Sequence, residues 1–124
     1  MKQIAMACVA VFFAGQALGA EVGFYDVAIT RIINDSEYYG GCLVKTVPGP
    51  ETVAPTCDST YLTFSCTGDY NTKSEGKSKY DTALAAMALQ QGVYLLIDDT
   101  KKHNGYCWAR RVDLLNTDKS VHFP

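Results

Sequence analysis

The sequence predicts a mainly β domain with one helix, its elements in the order strand, strand, strand, helix, strand, strand. Short β-branched and aromatic runs, separated by turn residues, recur after residue 20 and have the length and content of strands. One stretch, from Lys73 to Gln91, changes to helical spacing behind a capping signal. Four cysteines beyond the N-terminal segment, an even number in a short chain, supply the staples that a small core needs.

The opening segment, MKQIAMACVAVFFAGQALGA, has the form of a secretory signal peptide. Lys2 gives the positive start, an apolar run extends from Ile4 to Ala14, and Ala17, Gly19 and Ala20 supply small residues for cleavage. The run is shorter than the roughly 20 apolar residues of a spanning helix, so membrane insertion is not expected. Cys8 lies inside the run rather than at its end, which argues against a lipoprotein signal. Cleavage after Gly19 or Ala20 would leave about 105 residues, one secreted or periplasmic domain. That domain is expected over 21–116, with a loose tail over 117–124. Loss of Lys2 leaves 10 of the 11 basic residues against 13 acidic ones, a net charge of −3. Nucleic acid and anionic membranes call for basic surfaces, so neither is an expected partner.

Val22 to Ile33 alternates with a period of two, Tyr25, Val27, Ile29 and Ile33 on one face, Asp26, Thr30 and Ile32 on the other. Asn34-Asp35-Ser36-Glu37 breaks this strand, and Tyr38-Tyr39 lead into a Gly40-Gly41 turn. Cys42 to Val47 is the second strand. Pro48-Gly49-Pro50 and Pro55 mark a loop, because proline offers no donor to a ladder. Tyr61 to Cys66 is the third strand and closes a long-looped hairpin.

Thr72-Lys73-Ser74-Glu75 fits a capping box, in which hydroxyl and carboxylate satisfy free N–H groups of the first helical turn. Tyr80, Ala83, Leu84, Met87 and Ala88 follow helical spacing, and Gly92 supplies the stop. Leu89 falls on the opposite face beside Ala85 and Ala86. The alanines suit helix propensity or, more sharply, a contact between subunits. Val93 to Asp98 and Tyr106 to Leu115 are the last strands. Asn104-Gly105 is a hairpin-turn signal between them, although the loop counted from Asp99 exceeds two residues.

Opposed residues of an antiparallel hairpin have a constant sum of residue numbers. Pairing Val47 with Tyr61 therefore sets Cys42 opposite Cys66, within disulfide reach. Cys57 is left for Cys107, which ties the hairpin loop to the start of the last strand. In a five-stranded barrel of this order the third and fifth strands run side by side. Each bridge would contribute about 3–4 kcal/mol. No cysteines form a C-x-x-C pair and histidines number 2, so zinc and redox-active sites are not expected.

Three meandering strands, a helix and two further strands is the order of the OB-fold, and an OB-fold-like five-stranded barrel is the expected architecture. Val27-Ala28-Ile29-Thr30 matches a V-x-I-T first strand, and Tyr80-Asp81-Thr82-Ala83-Leu84 matches a Y-x-x-A-L helix segment. Cys42 opens the second strand, Cys66 lies in the third, and Gly92-Val93 starts the next strand after the helix. In these features the chain resembles the B subunits of bacterial AB5 toxins, in particular the subtilase-cytotoxin and pertussis-like branch. The segment Lys101 to Cys107 resembles other small exported bacterial proteins more closely. The resemblance implies a secreted glycan-binding subunit, usually pentameric. Tyr25 stands where the sialic-acid-binding relatives have a serine, and Leu96 and Ile97 stand where they have tyrosines. The family's sugar pocket is therefore not carried over to these positions, and a toxic A subunit is not implied by this chain alone.

OB-folds usually bind ligands on the face of strands two and three, between the loops that here span 34–41 and 98–105. Tyr38, Tyr39, Asp98, Lys101, His103 and Asn104 are the candidate ligand-binding residues. Aromatic rings cover the C–H faces of sugars while short polar side chains take hydroxyls. The competing reading makes the tyrosines half-buried strand-end aromatics and the charges merely solvated. Asp98 and Asp99 could pair for acid–base work or hold calcium, but adjacent residues of an extended chain point to opposite faces. His103 beside Lys102 could act as a base, yet no serine or free cysteine is placed as a nucleophile. No catalytic residue, cofactor or metal is therefore assigned, and His122 receives no role. Arg110 is expected to share a face with Trp108 and Val112 and to stack on the indole. The expected function is a non-enzymatic glycan-recognition module. The alternative is a protein-interaction or inhibitor domain using the same loops.

Overall fold

A computed structural model describes residues 21–35, 38–58 and 60–119. The expected signal peptide, His122 and the end of the expected tail lie outside the described residues. Five strands and one helix follow the expected order: β1 (Glu21–Asn34), β2 (Cys42–Val47), β3 (Tyr61–Thr63), α1 (Lys73–Leu89), β4 (Gln91–His103) and β5 (Tyr106–Asp118). Strand neighbours run β1-β2-β3-β5-β4, and β4 pairs back onto β1, so the sheet closes on itself. All pairs are antiparallel except the β3–β5 seam, where Thr63 pairs with Trp108 in parallel. Among the described residues no helix is long and apolar enough to cross a membrane.

Strict alternation fails in β1. Its register slips between Phe24 and Val27 and again between Ile29 and Arg31, with Asp26 left-handed at φ 55°. Each bulge resets which residues point inward. Phe24, Val27 and Ile29 enter the core and Ile32 packs against it, while Tyr25 is 76% exposed. Tyr25 and Ile33 therefore do not share the face of Val27 and Ile29, as alternation alone would have it.

A slip in the β4–β5 pairing corrects the expected Trp108–Arg110 stack. Leu96 pairs with Arg111 but Ile97 pairs with Ala109, so Arg110 is the extra residue. Cys107 and Ala109 belong to the core and Val112 packs against it, on the side opposite Trp108. Arg110 instead forms an ion pair with Glu21.

Both expected disulfides form, Cys42–Cys66 with Cα atoms 5.7 Å apart and Cys57–Cys107 with Cα atoms 5.5 Å apart. The hairpin register that suggested the first is nonetheless two residues out. Leu43 pairs with Thr63, Val44 with Leu62 and Lys45 with Tyr61, and Phe64 N donates to Cys42 O at 3.3 Å. β3 ends at Thr63, short of the expected Cys66. The backbone then turns at Ser65, φ 53°, which returns Cys66 to Cys42.

Thr72 caps the helix as expected, its Oγ1 accepting from Glu75 N at 3.1 Å, while the Glu75 carboxylate accepts from the Thr72 hydroxyl at 3.0 Å in place of a backbone N–H. Gln90, at φ 55°, ends the helix in place of Gly92. Gly92 lies in β4, where a Cβ would crowd Asp26 and meet Thr117 Oγ1 at 2.6 Å. The helix approaches the sheet through small residues. Ala83 and Ala86 are fully buried, while Leu84, expected to point inward, is 43% exposed. A Cβ on Gly76 would come within 2.9 Å of the carbonyl oxygens of Phe64 and Ser65.

The β4–β5 connection is shorter than expected. β4 continues to His103 through an irregularity between Asp98 and Lys102, and Asn104 (φ 51°) and Gly105 (φ 87°) alone make the turn. Two consecutive left-handed residues match the twist of a tight hairpin. β5 also runs past Leu115 to Asp118, held where Gly92 N donates to Thr117 Oγ1 at 2.9 Å.

Candidate ligand-binding surface

Cys42, Val44, Leu62 and Phe64 point into the core, so Leu43, Lys45, Tyr61 and Thr63 project from the outer face of β2 and β3. Leu43 and Thr63 are nevertheless only 2% and 0% exposed. They are covered by a 3-10 turn over Tyr38–Gly40 and by the end of β4. Gly40, at φ 80°, sits so close that a Cβ would meet Thr63 Oγ1 at 2.5 Å and His103 Cδ2 at 2.6 Å. The β1–β2 connection and the tip of the β4–β5 hairpin thus meet over one face of the sheet.

Tyrosine rings cross this face in sequence. Tyr38 and Tyr39 have centroids 6.2 Å apart, Tyr39 meets Tyr106 edge-on at 5.1 Å, and Tyr106 meets Tyr61 edge-on at 5.8 Å. Tyr39 takes its place through a left-handed backbone, φ 60°. Tyr38 stays 64% exposed. Partial burial, followed by the charge of Asp58 and the neighbouring Tyr39 and Tyr61, pushes the Tyr106 hydroxyl above its ordinary pKa. At neutral pH it is a hydrogen-bond donor.

A second aromatic group lies beyond Gly40. His103 Nε2 is 3.2 Å from Ser65 Oγ and 3.7 Å from Asp69 Oδ2, and its ring is 4.6 Å from that of Tyr70. Tyr70 N donates to the same Ser65 Oγ at 3.1 Å. Ser65 is fully buried, so this Ser–His contact braces the turn and offers no reachable nucleophile. Trp108 lies on the outside of β5 but is 5% exposed, because Lys79 and Lys101 place ammonium groups 4.7 and 5.0 Å from its ring. Asn71 Oδ1 accepts from both Trp108 Nε1 and Lys79 Nζ, at 2.9 and 2.8 Å. Burial lowers the pKa of Lys79, against a smaller raising effect of Glu75.

The expected site residues divide. Tyr38, Tyr39 and His103 come together on this face, Lys101 covers Trp108, and Asn104 is exposed at the hairpin tip. Asp98 lies apart, 8% exposed. Its Oδ1 accepts from the backbone N and hydroxyl of Thr100, and Lys101 Nζ lies 3.8 Å from its Oδ2. Asp99 Oδ2 accepts from Thr56 Oγ1 at 3.2 Å, so the two carboxylates serve different contacts. Among the described residues no group of three or more His, Cys, Asp or Glu could hold a metal ion. Tyr61 and Tyr106 join the surface without having been singled out by sequence. Alternation outward from Val44 and Leu62 was the available signal for Lys45 and Tyr61.

Comparison of the chain with protein-family models, with curated proteins and with solved structures gave no match.

Proposed function

We propose that this is a secreted or periplasmic, non-enzymatic recognition domain of the OB-fold type that binds glycans across Tyr39, Tyr61 and Tyr106, as a toxin B subunit presents a sugar-binding face. The edge-packed tyrosine chain carries the proposal. A tyrosine ring is apolar over its body and polar at its tip, which suits a saccharide that alternates C–H faces with hydroxyls. The surface falls on the outer side of β2 and β3, where OB-folds commonly take oligosaccharides. Two disulfides fit an oxidising compartment, and the signal-like N-terminal segment supplies a route to it. A ring of five copies is the assembly that the toxin resemblance implies, and light scattering of the mature protein tests it.

A glycan array probed with the mature protein and with Tyr39→Ala and Tyr106→Ala variants tests the function. Binding of one glycan class by the wild type, lost in both variants, is the expected result. No binding to any glycan would overturn it. Tyrosine-rich surfaces also anchor protein interfaces, so capture of a single extracytoplasmic protein through the same tyrosines would favour an interaction or inhibitor domain instead.

A further inference from the structure

We infer that the cleft beside Cys42–Cys66 takes a low-molecular-weight thiol bearing carboxylates, which opens this disulfide by exchange while Cys57–Cys107 stays closed. The site is separate from the tyrosine face and independent of the glycan reading. Gly76 lets α1 lie directly on the Ser65 turn, since a Cβ there would come within 2.9 Å of Cys66 Cα. Lys73, Lys77 and Tyr80, at i, i+4 and i+7 of the helix, therefore stand in one row beside the disulfide. With Asn34, Cys42 and Cys66 they line a cleft of about 290 Å³.

The two disulfides differ in reach. Cys57 and Cys107 are 6% and 0% exposed and belong to the core. Cys42 is buried too, but Cys66 is only partly buried and opens on the cleft. A pair 24 residues apart lies outside the C-x-x-C pattern, yet exchange needs only a sulfur that a thiolate can approach.

The cleft also selects by charge. Among the described residues no carboxylate lies within ion-pair distance of Lys73. Lys77 pairs with Asp81, but both side chains are more than half exposed, 76% and 55%, so this contact gives way readily to another anion. Two ammonium groups one helical turn apart raise the local concentration of an anionic thiol. An adjoining hollow that shares Asn34, Cys66 and Lys73 adds Asp35, a partner for an ammonium group. Carboxylates and an ammonium group on one thiol are the marks of a peptide thiol such as glutathione.

Its thiolate forms a bond to Cys66 Sγ, and the electron pair of the Cys42–Cys66 bond leaves on Cys42 Sγ, giving a mixed disulfide. A second thiolate attacks the small-molecule sulfur of that mixed disulfide and releases Cys66 as a thiolate. The two small thiols leave as their oxidised dimer, and both protein thiolates take up protons from water. Opening unties Cys66 from the start of β2, behind the turn that seats Tyr39. There Thr67 N donates to Gly40 O at 3.0 Å, and a Cβ on Gly41 would lie 3.6 Å from Cys66 Cβ.

The test treats the mature, oxidised protein with excess reduced glutathione under native conditions, blocks free thiols at intervals and maps them by mass spectrometry. Cys42 and Cys66 are expected to become free, through a glutathione adduct on Cys66, while Cys57 and Cys107 remain joined. Loss of both bridges together, or of neither, overturns the inference. A parallel series with β-mercaptoethanol, which has no carboxylate, separates charge from access. The glutathione rate relative to the β-mercaptoethanol rate is expected to fall about five-fold in Lys73→Gln/Lys77→Gln, the size of effect that exposed ion pairs give. Lys45→Gln, on the outer face of β2, should keep the wild-type ratio. An unchanged ratio in the double variant overturns the choice of a carboxylate-bearing thiol. The Tyr39 ring resonance should move when Cys42–Cys66 opens, and a fixed resonance overturns the link to the tyrosine turn. No glycan enters the experiment, so its failure leaves the glycan reading untouched.

Discussion

The rings of Tyr39 and Tyr106 meet edge-on, with centroids 5.1 Å apart and planes at 79°, joining the turn after β1 to the tip of the last hairpin. Edge-to-face aromatic pairs are worth about 0.5–1.5 kcal/mol beyond their buried area. A double-mutant cycle with Tyr39→Leu and Tyr106→Leu should give a coupling energy in that range by chemical denaturation. Additive effects would mean that the rings are neighbours without holding the surface together.

The two disulfides should differ in their contributions. Cys57–Cys107 closes a separation of 50 residues and Cys42–Cys66 one of 24. Chain-entropy reasoning gives about 4 kcal/mol for the first and about 3 for the second. Paired Cys→Ala variants, compared by urea denaturation, should show the larger loss for Cys57/Cys107. The reverse order would place the effect in native-state packing around the Cys42–Cys66 turn.

Gly76 offers a test in which local preference and tertiary packing predict opposite signs. Alanine in a helix is favoured over glycine by about 1 kcal/mol. Here the added Cβ would lie 2.9 Å from Cys66 Cα and from two backbone carbonyls, none of which can move without shifting the Ser65 turn. Gly76→Ala should therefore destabilise by about 1–3 kcal/mol, the usual range for overpacking. A stabilised variant would show that the helix can lift off β3 at little cost.

Tyr106 gives a pH signature. Its pKa is raised in the folded chain above the ordinary 10.0. Between pH 10 and the raised value the folded protein therefore holds a proton that the unfolded chain has released. Stability contributed by this group is complete below pH 10 and is lost as pH rises through the folded pKa. Tyr106→Phe should remove a phenol that ionises above the ordinary value from a titration followed by ultraviolet absorbance and flatten that part of the stability profile. Loss of a phenol that ionises at or below the ordinary value would contradict the upward shift that burial, and after it the Asp58 charge, gives Tyr106.

Element order was legible because period and capping are local properties. Thr72 and Glu75 announce the helix, and both disulfides join the cysteines expected. Register was not legible, because a bulge leaves no fixed mark in the residues around it. Asp26 and Arg110 each occupy an extra position, and that single residue moved Tyr25 out of the core and separated Trp108 from Arg110. Cys42–Cys66 was reached through a hairpin pairing two residues out of step, since the left-handed Ser65 that repairs the offset is not a residue type that advertises such a turn. At the site, Tyr38, Tyr39 and His103 could be read from loop positions. Tyr61 and Tyr106 depended on which strands become neighbours in the closed sheet.

The most direct test of glycan recognition by the tyrosine surface is a nuclear magnetic resonance titration of the mature protein, with labelled tyrosine rings, against the strongest glycan from the array. Tyr39, Tyr61 and Tyr106 should shift together with one saturation curve. Tyr25 and Tyr94, which pack 4.5 Å apart on β1 and β4, serve as an internal control and should stay fixed. Shifts confined to Tyr25 and Tyr94, or no shift in any ring at saturating glycan, would contradict the assignment.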